Sequence, residues 1–380
     1  MTEATPPELP TTQAPAIPTQ AQPLAALSYA CDGCGARVEY APGTASLRCP
    51  YCQHEQPVVQ TERAIHEHSF AELAAKPRRA IAANVLSCQR CGATTDSNAL
   101  AKSCQFCGAP LVAAENASEQ IPPEAVLPFE VDRPGVLTAL RSWVKSRWFA
   151  PRNFRSVSEA ESLVGTYMPH WTYDTDTTSD YWGQRGDHYW VTETYTETVN
   201  GQQQTQTRQV QRTNWYPVNG TVARSFDDVL VRGSDRVASA HQDKLEPWPL
   251  SAAVAYQPEY LAGYSALRYD IEPETGLEAA KNQMAGVIQQ DCRADIGGDE
   301  QQVQSVSTSY ANITYKLMLV PVWVVCYLYA GKTWQVLVNG RTGEVIGSRP
   351  YSKWKIAGFI LLILVVIACI ITAVVIHQRS

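Results

Sequence analysis

Four C-x-x-C pairs, grouped in twos, constrain this chain more than any other feature. Cys31 and Cys34 are followed, after a gap holding a Pro42-Gly43 turn, by Cys49 and Cys52; Cys88 and Cys91 are followed by Cys104 and Cys107. Two residues between cysteines let both sulfurs of a tight turn face one tetrahedral Zn²⁺, and a strand pair in the gap brings the second turn opposite. Each set fills a coordination sphere with four thiolates, which predicts two structural zinc ions with no open position for a substrate or water. Gly35, Gly92 and Gly108 follow the knuckles and suit the positive φ needed where the chain turns beneath a metal. Units this small need such a staple, because they cannot build an adequate core alone. His54, His66 and His68 lie close enough in sequence to be considered as ligands, but four cysteines suffice in each unit.

Composition bounds what surrounds the cysteines. The chain has 380 residues, 45% hydrophobic and 18% charged, which is material for one sizeable core plus small modules. Its formal charge of −6 gives no general attraction for nucleic acid, whose binding needs clustered Lys and Arg. Neither set of cysteines offers a basic face: Arg37 and Arg48 stand against Asp32, Glu39 and Glu55, and Arg90 and Lys102 against Asp96. A nucleic-acid-associated role linked to replication or transcription is the alternative, and it rests on fold analogy alone.

Along the chain the fold class reads as α+β. Residues 1–27 form a Pro/Thr-rich disordered tail, 28–60 the first ribbon, 61–85 a helical connector, 86–112 the second ribbon, 113–123 a linker and 124–350 a β-rich α+β domain. The last of these carries a degenerate internal duplication. Phe129-Glu-Val-Asp132 leads into an amphipathic helix and later a strand with Met168-Pro-His-Trp171; Tyr269-Asp-Ile-Glu272 leads into a second helix and a strand with Val320-Pro-Val-Trp323. Asn200-Gly201 between alternating runs predicts a long Thr/Gln/Glu β-hairpin projecting into solvent, read as a solvated arm or as an edge for a partner strand.

Catalytic groups are sparse, and no motif for a reaction is present. His170, Asp174, Asp176, Asp187 and His188 form the densest cluster of titratable side chains, so an enzyme reading would centre on His170 and Asp187. Cys292, Cys326 and Cys369 read as small buried residues rather than nucleophiles. Gly331-Lys-Thr333 has Cys326 where a phosphate-cradling loop needs glycine, which excludes a nucleotide-driven motor.

The run from Ile356 to Ile376 carries no charge and predicts a C-terminal transmembrane helix. Arg341, Arg349, Lys353 and Lys355 precede it and only Arg379 follows, which places residues 1–355 in the cytoplasm and the lipid bilayer of the inner membrane as a partner. Trp354 and Lys355 read as interfacial anchors beside Ile356, and residues 1–27 carry no Lys or Arg of a secretory signal.

The knuckles resemble the rubredoxin-like ribbons of transcription factor IIB-type proteins and of primosomal replication helicases. The hairpin from Ala330 to Gly347 is similar to the last strands of PepSY-type modules. With Phe226-Asp-Asp-Val-Leu-Val231 and Leu245-Glu-Pro-Trp248, the layout resembles a bacterial family of zinc-ribbon proteins with a C-terminal membrane anchor, often labelled primosomal helicase-like or transcription factor IIB-type. A more distant resemblance is to zinc-ribbon membrane proteins associated with phage-shock protein A and with SPFH proteins. It implies an adaptor that recruits such proteins to the inner membrane in a stress response.

Overall fold

Alternation of aromatic or β-branched residues with others makes two very long strands, and everything else is arranged on them. The computed structural model describes residues 29–59, 63–75, 79–80, 85–88, 94–96, 111–113, 119–146, 163–199, 202–235, 239–245, 247–329, 332–347 and 353–379, with the backbone alone described between 74 and 120. In chain order the elements are β1 (Glu39–Tyr40), β2 (Ser46–Arg48), β3 (Glu55–Pro57), β4 (His68–Ser69), β5 (Ala125–Val126), α1 (Arg133–Lys145), β6 (Leu163–Val199) and β7 (Gln202–Arg232). They continue with β8 (Val254–Ala255), β9 (Ser265–Leu267), α2 (Pro273–Ile296), β10 (Glu300–Tyr329), β11 (Lys332–Asn339), β12 (Val345–Gly347) and α3 (Lys353–Arg379).

The two long strands β6 and β10 run antiparallel, with Met168 opposite Val320. Each is joined, in parallel, by the short first strand of the other half. β5 pairs with β10 through Ala125 and Met318, and β9 pairs with β6 through Ser265 and Thr166. The two strand–helix–strand units are therefore interlocked rather than side by side. Their tryptophans make the same bond in opposite directions: Trp171 Nε1 donates to the Ile271 carbonyl at 2.8 Å, and Trp323 Nε1 donates to the Val131 carbonyl at 2.9 Å. Both acceptors immediately precede the acidic residue that begins a helix, so each half's P-x-W fixes the other half's helix entry.

Both helices lie on one face of this sheet. α1 turns Val136, Leu140 and Val144 toward Tyr167 and Trp323, while α2 turns Leu277, Ala280, Met284 and Ile288 toward Trp171, Tyr173 and Tyr315. The opposite face carries Met168, Met318, Val320 and Val322 and is covered by Leu245 and Trp248. Helix α1 starts where it does because Asp132 accepts the Gly135 N–H at 2.9 Å, which satisfies an orphan donor of the first turn.

Residues 61–85 contain the strand β4 and a 3₁₀ turn, Phe70–Ala75, where the sequence suggested a helix. Val199 pairs with Gln202 across the expected hairpin turn, whose own two residues lie outside the described ones.

The transmembrane assignment of residues 356–376 is corrected. α3 forms, and its exposed apolar side chains include Leu361, Leu364 and Ile370. Among the described residues no helix is long and apolar enough to cross a membrane. The tail anchor, the inner-membrane location and the orientation drawn from flanking charge fall with it. Of the expected anchor residues, Lys355 is half-buried, and the side chains of Trp354, Ile356 and Ile376 lie outside the described ones.

Replacing either clamp tryptophan, Trp171→Phe or Trp323→Phe, leaves a carbonyl without its donor, and each change is expected to cost about 1–3 kcal/mol in urea unfolding. A loss under about 0.5 kcal/mol, the size expected of a neutral surface change, in both variants would show that the clamp contributes little.

Candidate metal centre

The first ribbon is a three-stranded sheet in the order β1-β2-β3, and its two knuckles are built alike. In one, the Cys31 N–H donates to the Ala36 carbonyl and the Gly35 N–H to the Cys31 carbonyl, both at 2.7 Å. In the other, Cys49 N–H donates to the His54 carbonyl at 2.9 Å and Gln53 N–H to the Cys49 carbonyl at 3.0 Å. Gly35 has φ +73° and Gln53, at the matching position, has φ 63°. Only the first of these two left-handed positions was legible as glycine.

The four sulfurs converge. Cys31 Sγ lies 3.5 Å from Cys52 Sγ and Cys34 Sγ lies 3.6 Å from Cys49 Sγ, with all four within 4.8 Å of one another. A tetrahedral ion at a Zn–S distance of about 2.3 Å separates its sulfurs by roughly 3.8 Å, so this cluster can hold a metal ion. Backbone N–H groups of Cys52, and then of Tyr51, bring the Cys49 thiol down to about 7, while at Cys52 the lowering by the His54 backbone N–H is outweighed by the crowding of the other three sulfurs, which pushes that thiol up to about 12. Cys31 and Cys49 are buried, whereas Cys34 and Cys52 are exposed. Of the second set, Cys88 ends a short strand, Val85–Cys88, while Cys91, Cys104 and Cys107 lie outside the described residues.

The ribbon is part of the body's core. Cys31, Val38, Tyr40, Leu47 and Cys49 share one apolar cluster with Phe129, Tyr260 and Trp323. The Tyr40 N–H donates to the Ala262 carbonyl and the Gly43 N–H to the Phe129 carbonyl, both at 2.9 Å. A cleft of about 520 Å³ runs along this junction, lined in part by Tyr40, Arg48, Asp132, Arg133 and Tyr264. Three of its four charged groups are already engaged: Arg48 pairs with Glu55, Asp132 caps α1, and Arg133 reaches the Leu163 carbonyl, while Glu39 is the fourth.

The titratable cluster expected around His170 and Asp187 is dispersed. Both lie on β6, and strand rise alone separates their backbones by roughly 55 Å. His170 is buried beside Trp248, and burial brings its pKa down to about 4. Asp187 pairs with Arg185 at 3.0 Å, and His188 bonds Glu300 at 2.7 Å on the exposed arm. His68 holds the buried Glu124 at 2.7 Å, with Arg63 at 2.5 Å on the same carboxylate, so this histidine docks the connector rather than ligating the ribbon.

One cluster escaped the sequence because its members are far apart in the chain. Glu67, Asp174, Asp227 and Asp228 converge at bulges in β6, β7 and β10. The Lys316 ammonium already sits among them, 2.8 Å from Glu67 and 2.5 Å from Asp228, and takes the place a cation would fill. Burial, and then the hydrogen bond shared with Glu67, push Asp174 up to about 6; the same bond holds Glu67 down to about 2.

Folded Asp174 thus keeps its proton to a higher pH than the unfolded residue. Its contribution to stability is full below the unfolded value of 3.8 and is lost as pH rises through about 6. His170 runs the other way, contributing above its unfolded value of 6.5 and losing that contribution as pH falls through about 4. Asp174→Asn removes the first effect, so its melting temperature relative to the parent should rise between pH 3.8 and about 6 by calorimetry. A constant difference across that window would exclude a shared proton.

No family model matches the chain, and no solved structure matches it. The chain is similar to the uncharacterized protein YdjG of Bacillus subtilis (strain 168), 26% identical over 342 residues that span 88% of this chain and 93% of that protein.

Proposed function

We propose that this chain is a non-catalytic scaffold that recruits partner proteins through ribbons stapled by structural zinc. One ion is held by Cys31, Cys34, Cys49 and Cys52, and a second by Cys88, Cys91, Cys104 and Cys107. The observation that supports this reading is the closed four-sulfur cluster set into the core of the body. Four thiolates leave no coordination position for chemistry, so the ion's role is to fix the shape of the knuckles. Tyr51, on the second knuckle, is 80% exposed and gives a partner an aromatic anchor. The partners that the family resemblance implies, phage-shock protein A-like and SPFH-type proteins, are the first to test.

Metal analysis of the purified chain should find two zinc ions, and one in Cys34→Ser/Cys52→Ser. Because Cys31 and Cys49 share a core with Phe129 and Tyr260, chelation should lower the melting temperature of the whole body. An unchanged melting temperature after zinc loss would count against a stapling role.

Tyr51→Ser should keep zinc and stability while weakening partner binding at least tenfold, as loss of an aromatic anchor worth about 2 kcal/mol does. Binding unaffected by this change would move the recruiting surface off the knuckle.

A further inference from the structure

The arm formed by β6 and β7 sorts its side chains by charge. Beyond Gly186, which stands opposite Glu300 at the start of β10, it is among the described residues a ribbon of two strands. Opposed residues share a face, and alternation assigns the rest. One face carries Arg185, Asp187, Glu193 and Glu197 from β6 with Arg208 and Arg212 from β7, and Arg212 and Arg208 both bond Glu193.

From Trp182 to Thr198 the β6 and β7 residues of the other face carry no Asp, Glu, Lys or Arg. It presents Trp182, Trp190, Thr192, Thr194, Thr196 and Thr198, and across from the last four stand Gln209, Thr207, Thr205 and Gln203. Trp182 and Trp190 are 56% and 64% exposed, and Trp215 lies between them over Gly186, whose added Cβ would meet its ring at 3.0 Å. At the base of the face Glu300 is tied to His188 and Thr213.

Exposed strands ordinarily carry charges that prevent association, and here, past Glu300 at the base, the charges of β6 and β7 are on the far side. An isolated two-stranded ribbon is marginal in water, so this one needs cover. Nothing on the uncharged face attracts a phosphate or a charged peptide. A second copy of the same face meets it without opposing like charges, and a two-fold axis closes the contact. The face runs roughly 55 Å along the strands and about 10 Å across them. Two copies would bury on the order of 1,100 Å², and a specific interface needs about 1,000 Å².

We propose that two copies of this chain dimerise by packing the Trp182-to-Thr198 faces of their arms against each other. In sedimentation equilibrium the full chain is expected at twice its 41.9 kDa. Thr192→Glu/Thr196→Glu places four carboxylates in the contact and should weaken the dimer on the order of a hundredfold. Gln204→Lys, on the opposite face beside Glu197, should leave it intact. Circular dichroism of all three proteins checks that the fold is kept, and amide exchange along 187–199 should slow as concentration rises. A monomeric parent chain would overturn the proposal. So would a dimer that persists in the double-glutamate variant, which would place the contact elsewhere, for instance on the apolar helix α3.

Discussion

The reciprocal hydrogen bonds of Trp171 and Trp323 are the constraint on which the rest of the body depends. Each indole is large enough to bury roughly 200 Å² and has one polar atom that must find an acceptor. Here each acceptor is the carbonyl at the entry to the other half's helix. Tyr173 adds a third bond of this kind, its hydroxyl donating to the Pro273 carbonyl at 2.6 Å. A half folded alone would expose its tryptophan's apolar surface and leave its short strand without its long partner, since β5 and β9 both pair across the divide. Stability is therefore a property of the crossed pair. Its defining contacts lie far apart in sequence, which is the kind of topology that folds slowly.

The ribbon extends that interdependence to the metal cluster. Phe129 stands at the centre, stacked on Tyr264 at 4.3 Å and edge-on to Tyr167 and Trp323, while its backbone carbonyl accepts from Gly43 of the ribbon. An ion bound at Cys31 and Cys49 would thus bear on the same aromatic cluster that α1 packs against. The arm is the reverse case: past Gly186 it has, among the described residues, neither a third strand nor a helix behind it.

Much of this was legible from periodicity and spacing. Two C-x-x-C pairs pointed to the cluster of four sulfurs, Asn200-Gly201 marked the two-residue gap between β6 and β7, and the repeated P-x-W marked the two long strands. Partnering between distant segments was not legible. Local alternation shows that β6 has two faces, but the helices that bury one of them come from Arg133–Lys145 and Pro273–Ile296. The cluster of His170 with Asp187 failed because nearness in sequence along a strand becomes distance in space. The membrane helix was inferred from the uncharged run Ile356 to Ile376, and among the described residues no helix is long and apolar enough to cross a membrane.

The Glu67–Asp228 cluster shows why acidic convergence is a poor sign of a cation site when taken alone. Lys316 is 4% exposed, and burial by itself would lower its pKa; bonds to Asp228 and Glu67 outweigh that and raise it. A buried ammonium needs such company, because removing a charge from water costs several kcal/mol unless it is paired and hydrogen-bonded. Thr314 and the Asp228 N–H both donate to Asp174, at 2.8 and 2.6 Å, so the carboxylates are held by the strands as well as by the lysine. Asp228 and Asn312 take positive φ at the adjoining bulges, which turns three strands inward around one cation supplied by the chain itself. The segment that follows the first ribbon brings Glu67 to this point, and so its docking and the burial of Lys316 are one event.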